Sequence, residues 1–259
     1  RRRLLTFVSA PHRYIPATLY TARGEARSES PDRSSPYAAS PLTARLSRRL
    51  VRHHLTLLIV ATVLTVWVHR AAGLPGIQGW SVATAFASFL LLAAAMSIGP
   101  LNVLKHRPNP LSADLRRDIG IWVAIVAFVH VAIGLQVHLG DPLKYFLIAT
   151  PDGTMSLRHD WFGFANYTGL IATFILVILL AVSSDAALRF LGSKNWKSVQ
   201  RLTYGLALLA IVHGIAYELI ENRALPLVFV FAAMILVVAT LQLCGLRIRR
   251  SSARSTPPR

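Results

Sequence analysis

The chain contains one cysteine, Cys244, so no disulfide can close within it and no thiolate cluster can hold a metal. Acid is scarce too: 11 Asp and Glu stand against 28 Lys and Arg, and no carboxylate falls at the centre of a long apolar run. That scarcity argues against a transporter that relays protons through carboxylates at mid-membrane. No glycine-rich phosphate loop opens a βαβ pattern, so no nicotinamide-binding unit is expected. Charged residues make up only 15% of the 259, whereas 54% are hydrophobic, a balance that belongs to membrane proteins.

A bilayer core takes about 20 mostly apolar residues per helix. Six runs approach or reach that length: 55–68 with its flanks, 80–98, 119–137, 162–182, 202–220 and 227–244. Each is bounded by charge, Pro or Gly. The first is the shortest, and it spans only if His54, His69 and Arg70 sit at the interfaces and Arg52 snorkels. The fold class expected is an all-α membrane protein, a six-transmembrane-helix bundle.

The net charge of +17 is distributed unevenly. Arg45, Arg48, Arg49 and Arg52 precede the first run, and Lys105, Arg107, Arg116 and Arg117 fill the second loop. Arg189, Lys194, Lys197 and Arg201 fill the fourth, and Arg247, Arg249 and Arg250 follow the sixth run. The intervening loops hold only Arg70, then Lys144 and Arg158, then Arg223. The positive-inside rule then puts both termini in the cytoplasm, and the basic patches mark topology, with no nucleic acid as partner. Residues 1–44, rich in Arg, Ser and Pro, cannot bury a core and are expected to form a disordered basic tail. Residues 45–246 form the transmembrane domain, and 247–259 a basic C-terminal tail.

Of nine histidines, only His130 and His213 lie well inside apolar runs. Burying an ionisable group in the membrane is costly, so these two need an explanation. Both runs start at the arginine-rich side, and the separation from Asp118 to His130 equals that from Arg201 to His213. Both imidazoles therefore lie roughly 18 Å along their helices, at one depth in the outer half of the bilayer. Equal depth on two helices running the same way suits a flat cofactor gripped from both faces, such as a haem with one imidazole on each side of its iron. Val123, Ala127 and Gly134 share the helical face of His130; Leu206, Ala210 and Ala216 share that of His213. Small side chains leave room for a macrocycle, but they also serve ordinary helix packing in lipid, and a membrane histidine often only bridges helices by a hydrogen bond. His138, two turns further out, is a reserve ligand.

Two segments carry a resemblance that covers about residues 55–244. RRDIGIWVAIVAFVH, ending at His130, is similar to the twin-arginine, glycine and histidine helix of the ferric-reductase-like transmembrane domain family. NWKSVQRLTYGLALLAIVH, ending at His213, resembles that family's tryptophan, histidine, arginine and tyrosine segment closed by a further histidine. That family includes the haem-binding membrane subunit of the bacterial methionine sulfoxide reductase system. The resemblance implies haem b with His130 and His213 as iron ligands and an oxidoreductase role in the bacterial inner (plasma) membrane. It also implies electrons that arrive from quinol or a separate flavoprotein, the flavin or quinone belonging to that partner, and leave to an extracytoplasmic acceptor. One position departs: Gln200 stands upstream of His213 where such proteins often carry another histidine, and the matching position before His130 is Arg117. Neither is an ordinary haem ligand, so a single haem in the outer half is expected. Arg158, Lys144 and Arg223 are candidates to pair with its propionates. A histidine-containing transporter and a docking subunit that has lost part of its cofactor set are the competing assignments.

Overall fold

A computed structural model of the chain describes residues 49–107, 114–138, 140–222 and 225–255. The expected N-terminal tail and residues 256–259 lie outside these. Six helices are long and apolar enough to cross a membrane, and the protein is a multi-pass integral membrane protein. Helix α1 opens as a π-helical stretch, Leu50–Leu55, and continues as Thr56–Ala72. Helix α2 is Gly76–Leu104, α3 Asp114–Gly134 and α4 Trp161–Ala181. Next comes α5, Asp185–Gln200, at the bundle's arginine-rich end; α6, Leu202–Glu221, and α7, Leu225–Ser255, complete the set.

Local chemistry sets the boundaries. Gly73 closes α1 in the left-handed region at φ 63°, and Pro75 precedes α2. Asp160 caps α4 by accepting from the Gly163 amide at 2.7 Å, and Ser184 caps α5 by accepting from Ala187 at 3.0 Å. Asn222 ends α6 with φ 46°. The α5 segment, expected as a plain loop, is a helix broken at Gly192 (φ 71°), with the Trp196 indole donating to the Val182 carbonyl at 3.0 Å. Helix α7 runs to Ser255, through most of what composition marks as a basic tail.

Helix α2 is central and packs on α1, α3 and α7, whereas α4 packs chiefly on α6. Two apolar clusters result. The larger is built from Ala87, Leu91, Val123, Ala124, Leu176 and Leu206 among others, and the smaller from Val68, Val82, Phe86 and Phe231. Pro100 interrupts the hydrogen bonds of α2 and packs on Gly245 of α7, where a Cβ would come within 3.2 Å of its ring.

At the arginine-rich end, Asp118 of α3 is wholly buried and accepts from Arg49, through Nε at 3.1 Å and through Nη2, and from His53 Nδ1 at 2.6 Å. His54 completes the cage, 3.6 Å from Asp118 through Nε2 and accepting from the Trp122 indole at 3.3 Å through Nδ1. One buried carboxylate thus fastens the start of α1 to α3. Next to it, Arg117 pairs with Asp114 and Asp185, joining α3 to α5.

The opposite end carries a short 3-10 turn, Pro142–Tyr145, and a hairpin of β1, Leu147–Ala149, with β2, Met155–Leu157. The strands are antiparallel, with Ile148 opposite Ser156. Hydrogen bonds from Thr150 and Thr154 hold the Asp152 carboxyl below the usual aspartate range, and Arg158 does the same for Asp160.

These contacts set the expected cost of removing each carboxylate. Asp118→Ala strips the carboxylate from the Arg49 guanidinium and the His53 ring; because Arg49 keeps about a quarter of its side chain exposed, the loss should be about 2 kcal/mol, short of a fully buried pair. Asp185→Ala, at an exposed pair, should cost under about 1 kcal/mol; thermal unfolding in detergent separates the two. Both loop carboxyls have lowered folded pKa values, so their stabilising contribution is complete above the free aspartate pKa of about 3.9 and is lost as pH falls through the folded values. Carboxyl NMR titrations of Asp152 and Asp160 should give midpoints below about 3.9.

Candidate functional site

The helices that matter stand as two pairs, α2 with α3 and α4 with α6, and the contact between pairs is thinner than within them. Each pair is tied by one histidine. His130 of α3 donates through Nδ1 to the Ser81 carbonyl of α2 at 3.0 Å, and His213 of α6 donates through Nδ1 to the Ala165 carbonyl of α4 at 2.8 Å. A carbonyl only accepts, so Nδ1 carries a proton in both rings, and Nε2 is the nitrogen through which each ring, when neutral, could bind a metal. The accepting carbonyls match as well. Thr168 Oγ1 donates to Ala165 at 2.7 Å, and Thr84 Oγ1 shares its proton between the Trp80 carbonyl at 2.8 Å and that of Ser81 at 3.0 Å.

The two imidazoles, expected at one depth, face each other across the gap between the pairs. Their ring centroids are 6.2 Å apart and their planes lie at 79°. They border a cavity of about 290 Å³ whose walls include Val123, Ala127 and Gly134 beside His130, and Leu206 and Ala210 beside His213. Ala216 is buried elsewhere, and Gly214 and Tyr217 take its place in the wall. Gly169 of α4 is what permits this ring placement: a Cβ there would lie 2.8 Å from both Cε1 and Nδ1 of His213.

The mouth of this cavity carries His138, the reserve ligand, together with residues that spacing alone did not single out. Tyr217 donates to Asn166 Oδ1 at 2.8 Å, and its ring lies 5.0 Å from that of His213. His138 Nε2 meets Glu221 at 3.0 Å, while its backbone amide donates to the buried Tyr145 hydroxyl at 2.9 Å. Glu218 and Glu221 also line the wall. Tyr217 is one helical turn beyond His213, the one clue available beforehand. The proposed propionate partners are placed differently: Arg158 pairs with Asp160 at 2.6 Å and lies over the Phe162 ring, neither it nor Lys144 lines the cavity, and Arg223 is outside the described residues.

A second cavity, of about 450 Å³, lies toward the arginine-rich end between the same helices and α7. Arg117 and Gln200, the departing positions, both line it. Leu92, Val123, Leu176 and Leu206, one from each helix of the two pairs, border both cavities and divide them.

A membrane bundle that sets paired histidines across an apolar gap defines a class of intramembrane ligand-holding proteins. Residues 79–211, just over half of the chain, match the family described as "Ferric reductase like transmembrane component", and the chain belongs to that family. His130 lies within the matched segment and His213 just beyond its end. The chain is similar to the haem-binding subunit MsrQ of protein-methionine-sulfoxide reductase from Pectobacterium carotovorum subsp. carotovorum (strain PC1). The two are 27% identical over 197 residues, 68% of this chain and 90% of that protein. The MsrQ subunit of Pectobacterium atrosepticum is 27% identical over 195 residues, 68% and 89% of the two chains. That of Azospira oryzae is 34% identical over 93 residues, 35% and 39%. No solved structure matches the chain.

Substitution at two glycines should separate close packing from open space. Gly169→Ala drives a methyl into the His213 ring and should cost about 1–3 kcal/mol, the usual penalty of overpacking. Gly134→Ala meets Ser81 Oγ at 3.5 Å and His130 Cε1 at 3.9 Å, ordinary contacts, and should leave the thermal midpoint within a degree or two of wild type; differential scanning of the two proteins in one detergent reads the contrast.

Proposed function

We propose that His130 and His213 are the axial ligands of one b-type haem, and that through it the protein passes electrons across the bilayer to an acceptor on the extracytoplasmic face. The observation that carries this proposal is the imidazole pair. Imidazole–metal bonds of about 2 Å, with the roughly 1 Å from nitrogen to ring centre on each side, set ring centres about 6 Å apart, and these two are 6.2 Å apart. Haem bound there supplies one-electron redox chemistry whose potential responds to ligand basicity and burial.

The protein's own groups do the rest. Donation from Nδ1 to Ser81 and Ala165 fixes both tautomers and makes each Nε2 a stronger base toward a metal. Val123, Ala127, Leu206 and Ala210 keep water from the apolar walls. Thr84 and Thr168 share the accepting carbonyls and so hold their direction. The relatives' printed name, a haem-binding subunit, supports the same cofactor.

By the positive-inside rule the arginine-rich end faces the cytoplasm of a bacterial inner membrane, so the donor, a quinol or a separate flavoprotein, acts from that side. The histidine cavity then opens toward the outer side, where the acceptor docks. Among the described residues no histidine lines the second cavity, whose positions 117 and 200 carry Arg and Gln, and this supports one haem rather than two.

Protein purified from haem-replete cells should carry one haem per chain and show a Soret band that shifts on reduction. Replacing either His130 or His213 by Ala should abolish the band; His138→Ala should keep it, because that ring is engaged with Glu221 at the rim. A folded, colourless wild-type protein, or full haem content in both ligand variants, sinks the assignment.

A further inference from the structure

The larger cavity has a wall chemistry that the haem proposal does not use. Its floor is apolar: Leu92, Ala95, Val123, Ala124, Leu176 and Leu206. Its mouth is cationic, with Arg116, Arg117, Lys197, Arg201 and Arg249, and among the described residues no carboxylate lines it. Of these, Arg117 is already held by Asp114 and Asp185. Arg116 on α3 and Arg249 on the last helix line the same cavity, so two cations from separate elements converge on one place. From Arg116 to Val123 is roughly 10 Å along the helix, which is most of one leaflet's hydrocarbon depth. Charge at one end and hydrocarbon walls at the other, over that length, is the outline of a lipid.

We propose that this cavity binds an anionic phospholipid, its phosphate among Arg116, Lys197, Arg201 and Arg249 and an acyl chain against the apolar floor. Basic pockets between membrane helices on the cytoplasmic side recognise anionic headgroups in this way. A free phosphate answers the cations and leaves the floor bare, while a neutral lipid covers the floor and brings no net negative charge to the cationic mouth. An anionic lipid does both, and the bilayer presents its phosphate at this depth. The broken helix α5 supplies Trp196, Lys197 and Gln200 to the rim, so the occupant also braces the junction of α5 with α6. This inference is independent of the haem, which lies beyond the four-residue partition.

The test uses the full chain in detergent, stripped of lipid, with dioleoyl phosphatidylglycerol, dioleoyl phosphatidylcholine, inorganic phosphate and flavin mononucleotide as separate probes. Native mass spectrometry should show one retained phosphatidylglycerol per chain, bound at least tenfold more tightly than phosphatidylcholine. The Arg116→Gln/Arg249→Gln protein should lose that preference. Gly120→Phe is the second variant: position 120 lines the cavity and a Cβ there meets nothing within 4 Å, so its ring fills the space while every cation remains. It should expel the lipid with the Soret spectrum unchanged; if wild type has no haem, the lipid readout still stands alone. Equal affinity for the two lipids overturns the proposal. So does undiminished phosphatidylglycerol binding to Gly120→Phe, which would mark a surface charge effect, or displacement of the lipid by phosphate or by flavin mononucleotide at the same concentration.

Discussion

Everything in this bundle depends on the seam between two helix pairs, and on the histidine-to-carbonyl bond that closes each pair. Lipid tails are as apolar as leucine, so helices in a membrane gain little from hiding hydrocarbon from each other and associate through close packing and polar contacts. Within the pairs both are present, in the form of Gly169 beneath His213, Gly134 beside Ser81, and the two Nδ1 bonds. Between the pairs packing is sparse, and the sparse region becomes cavity. A site for a large ligand thus follows from where the helices do not meet.

The same bonds that hold the pairs together decide what the seam can bind. Because Nδ1, the nitrogen nearer each ring's own backbone, makes the carbonyl bond, the outer nitrogen Nε2 is not used for it. Thr168, one turn beyond Ala165, adds a second donor to that oxygen, while Thr84 divides its hydroxyl between the Trp80 and Ser81 oxygens. Packing, tautomer and ligand geometry are here one arrangement seen at three levels.

Much of this could be read from the sequence, for definite physical reasons. Apolar run length located the six spans to within a few residues at most ends, because the bilayer imposes that length on any spanning helix. The equal depth of His130 and His213 came from counting residues at the fixed rise of a helix, and the small residues around them from helical periodicity. What escaped were contacts made by groups with no sequence signature. The acceptors for both histidines are backbone oxygens, identical at every position. The Asp118 cage draws on His53 and Arg49, which lie far upstream on another helix. Helix α5 lacks the apolar content that marks its neighbours, and its break at Gly192 needs a backbone angle that composition only permits. Arg158 looked available for a propionate because charge and depth were all that the sequence offered; its engagement by the nearby Asp160 is a local contact.

The two cavities divide one seam, and their difference can be traced to few side chains. The same four helices wall both, and Leu92, Val123, Leu176 and Leu206 separate them. On one side of that layer the pairs present imidazoles to each other; on the other, nearer the arginine-rich end, the wall carries Arg117 and the side chain of Gln200. A guanidinium is permanently protonated and has no lone pair to give a metal, and an amide is a weak donor, so neither Arg117 nor Gln200 suits a metal although the space between the helices is there. The space does not stay neutral. Asp114 and Asp185 neutralise Arg117, and the further cations at the rim, fixed at this end of the bundle by topology, set the potential inside. A cavity lined by Arg and Gln in the cationic half of a membrane protein therefore suits an anion better than a metal complex, and the difference from its neighbour needs no change in helix packing.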